Sequence, residues 1–185
     1  SLFCSGIARS QVNNFTGSTS NSWDDLTNWS TGVPTATSDV VFPLTIPATG
    51  RIVFLNAAEL ANSLNFDNGY SLQPGTANSS LTVTTGNFTV GAGTLGTTTN
   101  GAGYGSAISV NLLGSAGLNK AGIGTLFLAG ANTFTGTVNV TAGKLGVIND
   151  TNLGSITSIG GTTSGINGFT LDGGTLQLIG NRSEE

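Results

Sequence analysis

Apolar positions along this chain fall in short alternating runs that bend at glycine. VNVTAGKLGV (Val138 to Val147) and FTLDGGTLQL (Phe169 to Leu178) both place apolar residues first, third, eighth and tenth, with glycine sixth. The pattern predicts two short strands, each with alternate side chains turned to one side, joined by a tight bend in which glycine adopts φ > 0. LTVTTGNFTV (Leu81 to Val90) has the same form and reads as a third copy. One such corner cannot bury its apolar row alone. Copies a few tens of residues apart are what a solenoid requires, with coils stacking, backbones pairing and inward rows merging into one core. The expected core of the repeated part is Leu126, Leu128, Val138, Val140, Leu145, Val147, Leu171, Leu176 and Leu178.

Upstream the same alternation is weaker. Ile52 to Leu55 reads as a buried strand, and Ser63 to Leu72 as strand, turn and strand, one residue shorter than the later corners. Ala57 to Asn62 (AAELAN) is the one plausible helical turn. The segment from residue 22 to 43 stands apart. Trp23 and Trp29 are the only tryptophans, and they precede a Gly32-Val33-Pro34 turn and a Val40-Val41-Phe42 strand. They read as an aromatic cap over the open end of a solenoid core, or else as a stacking platform for a sugar ring beside Asp24, Asp25 and Asn28. Three parts follow: an arm or opening strand (1–17), a cap segment (18–56) and coils (57–185) that include the 117–147 motif. With strands about 4.8 Å apart and roughly twenty residues per coil, seven to nine coils would form a rod about 40 Å long.

Composition narrows the class. Of the 185 residues 8% are charged, 29 are glycine, and histidine and methionine are absent, which leaves an all-β chain. Net charge is −4, and Arg9, Arg51, Lys120, Lys144 and Arg182 are scattered, so no basic stripe exists to neutralise phosphates or anionic lipid. No apolar run is long enough to span a bilayer. The lone Cys4 cannot form an internal disulfide. Asn-x-Ser/Thr triplets begin at Asn14, Asn28, Asn78, Asn87, Asn139, Asn149 and Asn181, as expected by chance in so Asn- and Thr-rich a chain.

Catalysis finds little to work with. Asp24 and Asp25 are the only adjacent carboxylates, and neighbours on a strand face opposite ways. Without histidine neither a serine nor a cysteine nucleophile has its base, and no metal-ligand spacing appears. No catalytic, metal or cofactor site is therefore assigned.

The stretch GLNKAGIGTLFLAGANTFTG (Gly117 to Gly136), continuing through VNVTAGKL, closely resembles the autotransporter-associated β-strand repeat, whose motif runs approximately GLTKxGxGTLxLSGxNTYTGxTxVxxGTLxV. Phe134 replaces the usual tyrosine. The flanking Trp29-to-Phe42 segment, SLNF at Ser63 and the Thr170-to-Leu176 tail agree in style. This resemblance implies a right-handed, single-stranded parallel β-helix in a secreted or outer-surface bacterial protein. No membrane barrel follows in this sequence, which points to a fragment or a small secreted protein. The expected function is structural: a stalk, or a subunit polymerising through solenoid ends or through its N-terminal arm into a homo-oligomer, fibre or surface layer. The alternatives are an adhesin binding surface glycans and, more remotely, a polysaccharide-degrading β-helix enzyme. No nucleic acid and no membrane insertion are expected.

Overall fold

A computed structural model describes residues 9–43, 52–66, 69–90, 106–155, 158–159 and 168–179. Cys4, Tyr104 and Asn181 lie outside them. The chain opens with β1 (Gln11–Asn14) and, after the tryptophan segment, β2 (Ser38–Phe42). Three circuits follow, each laying one strand on each of three sides. They are β3 (Ile52–Leu55), β4 (Ala58–Ala61) and β5 (Ser63–Phe66); β6 (Ser71–Pro74), β7 (Ser80–Val83) and β8 (Phe88–Val90); β9 (Ser106–Ile108), β10 (Asn111–Gly114) and β11 (Leu118–Lys120). Then come β12 (Thr125–Leu128), β13 (Val138–Val140), β14 (Lys144–Val147), the two-residue β15 (Ser158–Ile159), β16 (Gly168–Leu171) and β17 (Thr175–Leu178).

Three parallel sheets result. The first runs β1-β2-β5-β8-β11-β13-β16-β15, the second β3-β6-β9-β12-β14-β17, and the third β4-β7-β10. The described strands pair in parallel, and, apart from the short β15 beside β16, successive members of a sheet are separated in sequence by a full circuit. This is a parallel β-solenoid. Eight strands at about 4.8 Å make the first sheet roughly 34 Å tall.

Register explains the core. On the first sheet Val40, Leu64, Phe88, Leu118, Val138 and Phe169 lie one above another, two residues ahead of Phe42, Phe66, Val90, Lys120, Val140 and Leu171. On the second, Val53, Leu72, Ile108, Leu128, Val147 and Leu178 form a column. Alternation along each strand, buried then half-exposed, turns these columns inward. Val138 pairs with Phe169 and Lys144 with Thr175, so the two ten-residue copies are successive turns of one corner.

Four sequence expectations need correction. LTVTTGNFTV is a different corner: it is β7 and β8, and Leu81 pairs with Glu59 and Leu112 on the third sheet. The counterpart of the later corners is β5–β6, as its spacing indicated. Positive φ falls on Gly143 (+65°) in the first copy but on Gly173 (+88°) in the second, one place before the shared glycine. Gly174 is constrained by space instead, since a Cβ there would lie 2.6 Å from the Val140 carbonyl oxygen. The AAELAN segment contains no helical turn; Ala58–Ala61 is β4, because pairing with β7 and inward burial of Glu59 and Ala61 outweigh local helix propensity. Finally, Leu171 and Leu178 are 50% and 63% exposed and Leu176 only half-buried, in contrast to the fully enclosed Leu126, Val138, Val140 and Leu145. They occupy the correct columns but belong to the last described coil, where the enclosure given by a coil on each side is incomplete.

The third side changes character along the stack. β4, β7 and β10 pair by backbone, whereas residues 130–136 bond to β10 on alternate groups only, Thr133 N–H to the Leu112 carbonyl and Thr135 N–H to that of Gly114 (both 2.9 Å). The Leu112 N–H that a ladder partner would take is held instead by Asn132 Oδ1 at 2.8 Å. A side chain thus replaces the missing backbone acceptor.

Candidate functional site

In a solenoid the working parts are the contacts that make one coil accept the next. Residues 118–147 concentrate them. Asn132 sits on the inward row, buried, and its amide donates to the Asn152 carbonyl (2.6 Å) 20 residues on. Asn152, equally enclosed, donates back to the Gly130 carbonyl (2.8 Å) and accepts from the N–H groups of Ile148 and Asn149 (2.9 and 3.0 Å). The two bonds between the asparagines and the facing carbonyls are buried and satisfy groups that an interior leaves without water, while those from Ile148 and Asn149 lie at its edge. An outer rung repeats the idea more loosely, with Asn139 Nδ2 donating to Asn119 Oδ1 at 3.0 Å. Phe134 is buried; its carbonyl accepts from the Ser155 N–H, and the following N–H, of Thr135, donates to the Gly114 carbonyl (both 2.9 Å).

Lys120 is the least expected member. It occupies an inward position of β11 between Val90 and Val140 and is 1% exposed. Its ammonium donates to the carbonyls of Gly122 and Ala142, the second at 3.3 Å, tying one bend to the bend above it. Burial pushes its pKa below the ordinary lysine value. The same bend needs Gly143: φ is +65°, and a Cβ would lie 2.3 Å from the carbonyl oxygens of both Gly122 and Gly124.

These observations explain a sequence signature. The span from β11 to β14 holds two successive copies of one corner, Leu118 against Val138 and Thr125 against Lys144, with the asparagine-lined side between them. A segment of this length carries its own stacking contact. Residues 118–147 match the family model described as passenger-associated-transport-repeat. No curated protein and no solved structure matches the chain. Lys120, Asn132, Phe134 and Gly143 all fall within the matched residues.

At the opposite end the tryptophans face inward. Trp23 is fully enclosed and Trp29 5% exposed; the rings meet edge to face at 4.8 Å and join Phe15, Phe42 and Tyr70 in one aromatic cluster. Trp29 Nε1 donates to the Trp23 carbonyl (2.7 Å), while Trp23 Nε1 has no partner. Neither ring presents a face to a sugar, so the stacking platform is not formed. Residues 21–23 instead extend the second sheet beyond β3, with Trp23 N–H bonding to the Phe54 carbonyl and Phe54 N–H to that of Asn21 (both 2.8 Å). Asp25 holds the turn that links the two tryptophans. It accepts from the hydroxyls of Thr19 and Ser20 (both 2.8 Å), from the Thr27 hydroxyl (2.5 Å) and from the Thr27 N–H (3.0 Å), which keep its carboxyl far below the usual carboxylate range.

Among the described residues no three His, Cys, Asp or Glu side chains gather. On the outer face of the first sheet an open groove of about 380 Å³ is lined by Asp39, Asn62, Ser63, Asn65, Asn87 and Thr89. Asn62 and Ser63 bond to the Asp39 carboxylate there, both at 2.7 Å, and with Ser10 they hold its pKa below the ordinary value against the opposing effect of burial. One pairing was not legible in sequence: Glu59, inward on β4, is hydrogen-bonded to Asp24 of the tryptophan segment. An inward glutamate four residues from no cation, in a stretch that reads as helix, gives no signal of its position.

Proposed function

We propose that this chain is a structural, non-catalytic scaffold in an exported, surface-associated bacterial protein of the passenger type, a stiff solenoid onto which a further coil adds. The observation that supports this most is the in-register stack in which residues 118–147 carry both members of a coil-to-coil contact. Stiffness follows from the geometry, since bending the rod means separating two long ladders and, over β4, β7 and β10, a third. A further coil would find β17 paired on one side only among the described strands, with Leu171, Leu178 and Ile179 exposed beside it. Among the described strands β1 and β17 each leave one edge unpaired, and with apolar side chains exposed at the β17 end this favours docking of a second copy there, as in a head-to-tail filament or surface layer.

Small-angle scattering and electron microscopy over rising protein concentration test this reading. Rods that lengthen with concentration are expected, and Leu178→Lys with Leu171→Lys should hold the particle at a single length while leaving its β-signal unchanged. A compact particle would reject the scaffold, and unit-length rods at every concentration would reject end-on growth. Glycan adhesion keeps one supporting observation, the Asp39–Thr89 groove. With the tryptophans enclosed it would rely on hydrogen bonds alone.

A further inference from the structure

Glu59 occupies an inward position of β4, where the equivalent residues of the next two coils are Leu81 and Leu112. It is 7% exposed. A carboxylate in such a row normally meets a cation, yet Glu59 meets another carboxyl, that of Asp24. Asp24 belongs to the segment that bonds to β3 through Trp23 and Phe54, and its other oxygen contacts include the Asn56 amide at 3.1 Å. Two carboxyl groups can share a hydrogen bond only if one of them carries the proton. The enclosed Glu59 is the one that keeps it.

We infer that Asp24 and Glu59 form a proton-held clasp, which fastens the tryptophan segment to the first complete coil and lets go when the shared proton is lost.

Among the described residues of the elements packed on Glu59, no cation offsets the charge that deprotonation creates. β7, packed against β4, has no ionisable residue, and Asp39 of β2 points to the outer surface, where Asn62 and Ser63 engage it. Asp25, next to Asp24, is committed to its own hydroxyl partners. Burial first and the Asp24 contact second raise the Glu59 pKa to about 7, so the device works around neutrality. The sign is fixed by linkage. A folded-state value above the unfolded one means stability that is complete below the ordinary glutamate range and is lost as pH rises through about 7. The clasp is therefore closed in mild acid and loosened in mild alkali.

Hydrogen exchange of the Trp23 and Phe54 amides, corrected for the intrinsic rate, tests this directly. Between pH 5 and pH 8 the opening constant of this segment should rise by on the order of tens of fold in the wild-type chain. In Glu59→Gln, which still donates to Asp24 but cannot ionise, the rise should vanish and protection at pH 8 should match that at pH 5. Asp24→Asn should reduce the rise, since it removes the repelling charge but not the burial. Amides of β12 and β14, remote from the pair, provide the control for global unfolding. An equal rise in wild type and Glu59→Gln, or one that appears equally in β12 and β14, would overturn the inference.

Discussion

Replacing Asn132 by alanine tests whether a side chain carries the third side of the stack once the backbone ladder stops. The substitution removes the acceptor of the Leu112 N–H (2.8 Å) and the donor to the Asn152 carbonyl (2.6 Å), both in the interior. Each orphaned group costs about 1–3 kcal/mol, and the alanine methyl offers neither a replacement. A loss near 3 kcal/mol is expected after local relaxation, a large share of a domain's net stability. Asn139→Ala is the internal comparison. Its amide meets the Asn119 side chain at 3.0 Å on the half-exposed outer face, where water can substitute, so its loss should stay below about 1 kcal/mol. Asn132→Asp keeps the acceptor but directs a carboxylate at the Asn152 carbonyl; it should be at least as damaging as alanine at neutral pH and milder near pH 4. Urea unfolding followed by circular dichroism, with m-values checked for constancy, measures all three. Equal, small effects for Asn132→Ala and Asn139→Ala would refute the reasoning.

Two further predictions use the columns. Leu126→Ala, at a fully buried position, should cost about 2–5 kcal/mol, whereas Leu178→Ala, in a comparable column but 63% exposed, should stay within about 0.5 kcal/mol; the same urea titrations compare them. Gly114→Ala should destabilise by more than about 2 kcal/mol, because φ is +108° and the new Cβ would lie 2.0 Å from the Val83 carbonyl oxygen; a thermal midpoint within a degree of wild type would contradict this.

Fold class was readable because inward rows must be apolar wherever strands stack, and that requirement leaves a period-two trace at every corner. The spacing of Val138, Val140, Leu145 and Val147 against Phe169, Leu171, Leu176 and Leu178 reports the stack directly. Corner identity was less legible. LTVTTGNFTV has the same composition as the later copies, yet only pairing with Glu59 and Leu112 shows that it turns at a different place. Ala57 to Asn62 misled because helix propensity is a local quantity and the ladder with β7 is not. Exposure of Leu171 and Leu178 depends on what lies above a coil, which the residues of that coil do not encode. The interior polar groups were hidden for a related reason. Lys120, Asn132 and Glu59 look like solvent-facing residues until register assigns them to inward columns, where backbone carbonyls, backbone amides and a second carboxyl meet them.

The inward placement of Lys120 bears on durability outside a cell. Between Arg51 and Lys144 it is the only basic residue, so an enzyme that cuts after lysine or arginine has a single recognition point across that whole stretch. That point is shut inside the rod, with its ammonium fastened to two main-chain oxygens. Trypsin-like digestion must wait until β11 leaves its neighbours, which makes intact coils the form that persists in a protease-rich setting.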